Sequence, residues 1–578
     1  MENIEVVNKI RQLIDESITN LGYKKEDINV DHPVDSNFGD YSTNIAMVLG
    51  KKEKQSPRDV AQKIVSELKK NIDREIIEEV QVAGAGFINI YLKKEWLIKE
   101  AEVVNYEIEF KNKLLKYGQG KTVVIDYSAP NIAKPFGIGH LRSTNIGQSI
   151  YNIYKILGWK TIGDNHIGDW GTQFGKLIVA IKKWGSPKQN LEDLTIEDLE
   201  NLYVKFHKEA EKDDKLVDEG REWFSKLENG DKEAREIWQK CVDISFREFD
   251  KVYNLLGVKI DFVHGESFYL EMLADTTNQI IKKGISKDSE GAKIIEFENM
   301  PPAMLQKSNG ATTYFTRDMA TIKYRINEWN PNLIIYEVGV DQELHFRQVF
   351  KSAEMMGWFP KDGFVHVAHG LLRWKNGKFS TRRGDTIHLS DVIEKAIEKA
   401  GEIANKSLIG KDLPKEEKEE MIKEVAIGAI KFNDLSSDPK KDVIFDWDRV
   451  MSLEGDSGPY LQYTYARAQS VLRKTKVVEQ KNVDYNEAVA ALKSPEEIAL
   501  LKEFYKFEEK IIEASERFSP AVIAEYLLLV ARKYNEFYGK YRIIDQPEEI
   551  YRIFLTKVTA NIMATGLKIL GIKPIERM

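Results

Sequence analysis

The sequence predicts an α/β protein: a Rossmann-type parallel-sheet core, preceded by an N-terminal α/β module and followed by an all-helical domain. Three observations carry this. An apolar run of buried-strand type, "TVVIDY", leads through a glycine-bearing turn into a helix. Ile146, Ile150, Ile153 and Leu157 share one face of that helix and Gly158 ends it, which is the pattern of a βα unit. Two further strand candidates, "LIIYEVG" and "GFVHVAHGLL", are each followed by a polar loop and helical periodicity. From 453 onward nearly every segment has helical spacing.

Residues 1–115 alternate helical periodicity ("PRDVAQKIVSELKKNI") with a glycine-punctuated strand ("VQVAGAGFINIYL"), as expected of a small α/β module. Residues 116–395 hold the sheet, interrupted by a highly charged insertion at about 185–290. Residues 396–452 form a helical connection through "GKDLPKEEKEEMIKEV", and 453–578 the helical domain. No repeat, low-complexity tract or coiled-coil period breaks this plan.

Bulk properties narrow the function. A single cysteine, Cys241, excludes an intramolecular disulfide framework and a thiolate metal cluster, which favours a reducing compartment. The amphipathic start and the shortness of the longest aliphatic run, "AEYLLLVA", predict a cytoplasmic protein with no membrane span. A net charge of −7 argues against uniform coating of nucleic acid but permits a local basic surface.

Chemistry concentrates in "YSAPNIAKPFGIGH", the turn between the first core strand and its helix. Ligands of such sheets sit at the strands' carboxyl ends, where a helix amino terminus attracts an anion. Gly137 and Gly139 allow close approach to a phosphate, His140 supplies an imidazole donor, and Lys134 adds a full positive charge. In isolation "GxGH" is also compatible with a plain tight turn.

The longer match decides between these. "SAPNIAKPFGIGHLRST" resembles the HIGH signature of the arginyl-tRNA synthetases, a family of class I aminoacyl-tRNA synthetases. "NHIGDWGTQFGKLI", "YFTRDMATIKYR", "VGVDQELHFRQVF" and "KFSTRRGDTI" follow in the order of that family. "FDWDRVMSLEGDSGPYLQYTYARAQSVLRK" is similar to the entrance of its helical anticodon-binding domain, "LKILGIKPIERM" to its finish, and "NFGDYSTNIAM" to its amino-terminal domain.

The resemblance implies a two-step reaction. The arginine carboxylate attacks the α-phosphate of ATP, with Mg²⁺ carried on the phosphates, and the adenylate then esterifies the terminal ribose of tRNA(Arg). Charge on the phosphoryl oxygens must be neutralised by positioned donors and cations; His140, Lys134 and Lys378 suit this, with Gly137, Gly139 and Ser380 also on ATP. Two positions depart from the pattern. Gly137 stands where HIGH begins with histidine, and Thr381 stands where KMSKS has its second lysine, a charge for which Lys134 substitutes. A guanidinium needs acceptors and a carboxylate in fork geometry; the resemblance assigns Asp126, Asn131, Tyr314, Asp318 and Gln342 to the arginine site. His166 and Asp169 are expected in support, while His345, His366, His369 and His388 are given no role.

In the helical domain Tyr460, Tyr463 and Arg467 are the candidate tRNA contacts, through stacking and edge hydrogen bonds, although aromatics at helical spacing also fit a core. The amino-terminal module is expected at the outer corner of the tRNA, no editing domain is expected, and the family is usually monomeric. Two other readings stay open: a relative that binds tRNA without charging it, and a nucleotidyltransferase with a small acceptor. The latter leaves both end domains without a purpose.

Overall fold

The computed structural model describes residues 4–185, 193–375, 388–406, 410–477 and 484–578. In the N-terminal module, strands β1 (Tyr41–Thr43), β2 (Ile77–Ala83) and β3 (Phe87–Leu92) form an antiparallel sheet in the order β1-β3-β2. Helix Pro57–Asn71 covers it, with proline in its first turn and Val60, Ile64 and Leu68 buried on one stripe.

The core is a five-stranded sheet of order β11-β10-β4-β5-β6, parallel throughout: β4 (Thr122–Asp126), β5 (Lys160–Asn165), β6 (Phe262–Val263), β10 (Leu333–Gly339) and β11 (Phe364–His369). Val123, Val124 and Ile125 are fully buried, which explains the unbroken apolar run: helices cover both faces of the sheet. From β4 the chain proceeds outward to β5 and β6, then returns to build β10 and β11 on the other side. The strand order therefore reverses between β4 and β10, and the crevice of such a sheet lies at the carboxyl ends there.

The expected single insertion at 185–290 is two segments. Helices Ile196–Ala210, Lys215–Glu228 and Lys232–Leu256 lie between β5 and β6. The antiparallel strands β7 (Ser286–Ser289), β8 (Ala292–Ile295) and β9 (Ala303–Gln306) lie between β6 and β10 and extend the region past 290. A two-residue strand such as β6 carries no period that a sequence could reveal.

Beyond the sheet, β12 (Leu372–Trp374) pairs in parallel with β13 (Val443–Phe445). Helices Leu389–Lys406 and Lys415–Leu435 form the connection, and helices from Gly458–Lys474 to Glu549–Ile569 form the C-terminal domain. Helix Lys415–Leu435 is the tie between units. Its buried Lys431 donates to the Leu256 carbonyl of the insertion and, at 2.6 Å, to the Gly571 carbonyl of the C-terminal tail. Its Asp434 accepts from Arg142 of the core at 2.8 Å. Among the described residues no helix is long and apolar enough to cross a membrane.

Candidate active site

The turn after β4 runs through backbone that side chains rarely adopt. Ser128, Ala129 and Ala133 have φ of 78°, 39° and 61° although none is glycine. Such residues cost about 1–3 kcal/mol each and persist only where their surroundings hold them. Here the surroundings do so. The Ser128 N–H donates to Ser143 Oγ, the Ala129 N–H to Asn165 Oδ1 and the Ala133 N–H to Ser245 Oγ, each at 2.9 Å. Ser143 in turn donates to the Glu337 carbonyl at 2.9 Å, so β5, β10, the following helix and the insertion all pin one loop.

The turn delivers His140 to the first turn of helix Ile138–Ile156. The Gly137 N–H donates to His140 Nδ1 at 3.3 Å, which makes Nδ1 an acceptor and leaves Nε2 to carry the proton outward. Burial, then Lys134 and His369, hold the imidazole below its ordinary pKa, so it is a neutral donor. Gly137 has φ −84°, open to any residue, so its conformation does not require glycine. A Cβ on Gly139 would meet nothing within 4 Å, which leaves that space to a ligand. Lys134 is exposed, with Nζ 5.9 Å from the Tyr203 ring centroid.

Acidic groups gather at the neighbouring strand ends. Asp126, at the end of β4, is fully buried and accepts from Arg325 Nη1 at 2.9 Å, while Arg325 Nε donates to Asp164 at 2.8 Å. Asp126 therefore meets a guanidinium supplied by the chain itself. Asn131 is exposed in the turn and pairs with Gly168 across an isolated bridge. Tyr314 and Asp318 are one helical turn apart at the start of helix Tyr314–Trp329, on one face. The Asp318 carboxylate takes a hydrogen bond from His345 Nε2 at 2.6 Å, and Gln342 is exposed just beyond β10.

Sequence reasoning missed several members of this site. Arg325 lay in the quoted "YFTRDMATIKYR"; its spacing from Ile322 and Trp329, both in the core, was the available signal. Glu266 pairs with Arg317 at 3.0 Å, and burial outweighs that partner to push its carboxyl up to about 7. His345 was given no role yet holds Asp318. His166 Nδ1 lies 3.1 Å from the His264 carbonyl, and Asp169 accepts from the Ser267 N–H at 2.8 Å and from its hydroxyl at 2.5 Å.

Comparison with known proteins matches three stretches of the chain to family models. Residues 104–447 match the class I tRNA synthetase (R) catalytic domain, 8–92 the arginyl tRNA synthetase N terminal domain and 461–578 the DALR anticodon binding domain. The arginine–tRNA ligase of Halothermothrix orenii is 40% identical over 100% of both chains. That of Clostridium acetobutylicum is 39% identical over 99% of each. The crystal structure of arginyl-tRNA synthetase from Plasmodium falciparum superposes with a TM-score of 0.83 at 26% identity, covering 99% of both chains. The fold is also that of the Thermus thermophilus arginyl-tRNA synthetase, TM-score 0.82 at 24% identity, covering 99% of this chain and 100% of that one. The chain belongs to the arginyl-tRNA synthetase family.

The arginyl-tRNA synthetase signature residues Lys378, Ser380 and Thr381 lie outside the described residues. The chain on either side of them is fixed against the signature helix. Arg142 Nη1 donates to the Gly370 carbonyl at 2.8 Å, and the Leu389 N–H donates to the Phe136 carbonyl at 3.0 Å beside the bridge between Gly137 and His388.

The candidate tRNA contacts Tyr460, Tyr463 and Arg467 sit on one helix, Gly458–Lys474, which packs against helix Ala521–Lys540. Arg467 lies between the rings of Tyr463 and Tyr538, 4.7 and 5.2 Å from their centroids, and Nη1 bonds Asn535 Oδ1 at 2.5 Å. Asn535 Nδ2 donates to the Tyr460 hydroxyl at 3.0 Å. Tyr463, Arg467, Tyr538, Lys411, Arg473 and Arg577 line a cavity of about 300 Å³. Tyr465, in the same aromatic run, and Tyr534, on helix Ala521–Lys540, are core residues.

Proposed function

We propose that the chain is an arginine–tRNA ligase: it activates L-arginine with ATP and transfers it to the 3′-terminal ribose of tRNA(Arg), releasing pyrophosphate and AMP, in the service of translation. The observation that supports this most is the pinned turn, which holds the His140 Nε2–H as a fixed donor where the strand order reverses. The α-phosphate would lie at this helix tip, with Gly139 leaving room, Lys134 adding charge, and Lys378 and Ser380 supplying further donors to ATP. ATP brings Mg²⁺ on its own phosphates, where the ion supplies charge neutralisation; the protein atoms at this rim are donors and cations, which fits a metal held by the nucleotide.

Arginine would lie across the same edge, toward the carboxylates. Asn131 meets its ammonium and carboxylate end, and Tyr314, Asp318 and Gln342 meet the guanidinium. Asp126 bounds the pocket, its pairing with Arg325 keeping the floor rigid. This places the arginine carboxylate between the guanidinium anchor and the helix tip, close to the phosphorus it attacks. A fork of acceptors matched to a guanidinium rejects an uncharged analogue because its own groups would be left unpaired. The anticodon would enter the cavity beside Arg467, where rings and cations serve unstacked bases, and the N-terminal module would meet the outer corner of the tRNA. The enzyme acts in the cytoplasm as a monomer.

Aminoacylation of total tRNA with each common amino acid tests the reading, with Lys134→Ala and His140→Ala alongside. Charging with arginine alone, lost by about 100-fold or more in each variant, is expected from removal of a transition-state donor. Charging with lysine or glutamine would overturn the pocket assignment; tRNA binding with no charging would leave the non-catalytic relative.

A further inference from the structure

A second ionisable pair stands at the same sheet edge and has no part in the scheme above. Glu337, near the carboxyl end of β10, is 1% exposed, and His369 ends the adjacent strand β11. His369 Nδ1 donates to Glu337 Oε1 at 2.9 Å, while Glu337 Oε2 is buried with no hydrogen-bond partner among the described residues. A buried carboxylate with an unanswered oxygen is costly unless its neighbour carries the opposite charge. His369 Nε2 faces the carboxyl end of β10, 3.7 Å from where a Cβ on Gly339 would stand. Around the imidazole, Arg142 and His140 face it from the signature helix, Asp434 from helix Lys415–Leu435 and His366 from its own strand. Arg142 and Asp434 bond each other at 2.8 Å and largely cancel.

The rim needs such a group. His140 is held neutral, Gly137 offers no side chain, and Lys134 is exposed and leans toward the insertion. We propose that His369, held and charged by Glu337, is the fixed cation of the activation site, placed to neutralise the phosphoryl charge that develops as arginine attacks ATP. Glu337 is the positioning residue and His369 the group that faces the nucleotide. Burial pulls the His369 imidazole down, but Glu337's charge and hydrogen bond outweigh it, so the imidazole stays above its ordinary pKa. The sign follows: activity that needs the imidazolium is complete at low pH and is lost as pH rises through that raised value.

The test is arginine- and tRNA-dependent ATP–pyrophosphate exchange by the whole enzyme across pH, for wild type, His369→Gln and Glu337→Gln, with thermal melting of each. His369→Gln is expected to lower kcat about 100-fold with the KM for arginine unchanged, and to lose the high-pH decline that His369 imposes. Glu337→Gln preserves shape, and its decline is expected to begin about one pH unit or more lower, because the charge that held the proton is gone. A purely structural pair would move neither the shape nor the position of that profile. If Glu337→Gln, the milder change, declines at the wild-type pH, the inference falls even if His369→Gln fails to fold. The inference rests on the arginine-activating reading. Absence of exchange by wild type would defeat that reading; exchange with unchanged profiles in the variants would defeat only this one.

Discussion

The two ends of the molecule proposed to meet substrates are built by different physical means. The sheet edge combines strained backbone and buried charge: Ser128, Ala129 and Ala133 at positive φ, and Asp126, Asp164 and Arg325 in one buried cluster. The helical end presents side chains projecting from regular helices, with Arg467 between Tyr463 and Tyr538 on the rim of a cavity. Chemistry on a phosphate tolerates little misplacement, so its groups are fixed from several elements at once. Reading a base needs complementary faces and charge, which two packed helices provide without strain. Changes in the buried cluster of the first end should therefore damage fold and catalysis together, and changes at the second should weaken one binding step alone.

The hardest test of that contrast is Arg325→Met. It leaves Asp126 and Asp164 buried without their counter-charge, a loss of about 3–5 kcal/mol where one partner of a buried pair is removed. Urea unfolding should show that drop in the midpoint, and exchange activity should vanish with it. Unfolding within about 1 kcal/mol of wild type would mean that the cluster is not structural.

Asp318→Asn comes next, because Asp318 carries its charge at a half-buried helix face rather than within the core. Removing one partner of a hydrogen-bonded charge pair costs about 2–5 kcal/mol of binding. We expect kcat/KM for arginine to fall at least 30-fold while the KM for ATP and the melting temperature hold. An equal effect on ATP would place Asp318 on the wrong substrate.

At the other end, Arg467→Ala should cost about 1–3 kcal/mol of tRNA affinity, the range for a lost base-stacking contact. Filter binding should show it, with ATP and arginine affinities unchanged. Loss of thermal stability by a similar margin would make Arg467 a packing residue after all.

The same contrast decides what the sequence made legible. The parallel sheet, the helical tail and the turn were readable because apolar period and glycine placement are local signals: "TVVIDY" became β4, and "GIGHLRST" opened the helix where expected. Even so, the glycine at 137 is not conformationally required, and the strain fell on Ser128, Ala129 and Ala133, residues that give no such warning. Charge pairs were the least legible, since Glu337 and His369 or Asp126 and Arg325 are neighbours only after folding across strands far apart in sequence. On the helical side Tyr463 and Tyr465 stand in one aromatic run, yet one lines the cavity and the other is core. Helical period gives a residue's face but not what covers that face.

The smallest effect sharpens the comparison within the catalytic end. Glu266 lies against Arg317 near Asp318 and Asp169, and burial lifts its carboxyl to about 7. Between the ordinary carboxylate range and 7 the folded protein holds a proton that the unfolded chain has released, so Glu266 makes the empty protein less stable as pH rises through that window. Arginine brings a permanent positive charge and favours the ionised form, so binding should expel the proton. Arginine affinity should then rise with pH from 6 to 8, by less than about tenfold per unit for one proton. Titration calorimetry in two buffers of different ionisation enthalpy would count the proton directly. Glu266→Gln should flatten the pH dependence and abolish the release, while a wild-type slope retained in that variant would assign the proton to Asp126 or Asp169, both also raised by burial. Nothing comparable is expected at the helical end, where the proposed contacts are stacked rings and charge on phosphates, so tRNA binding should follow salt rather than pH.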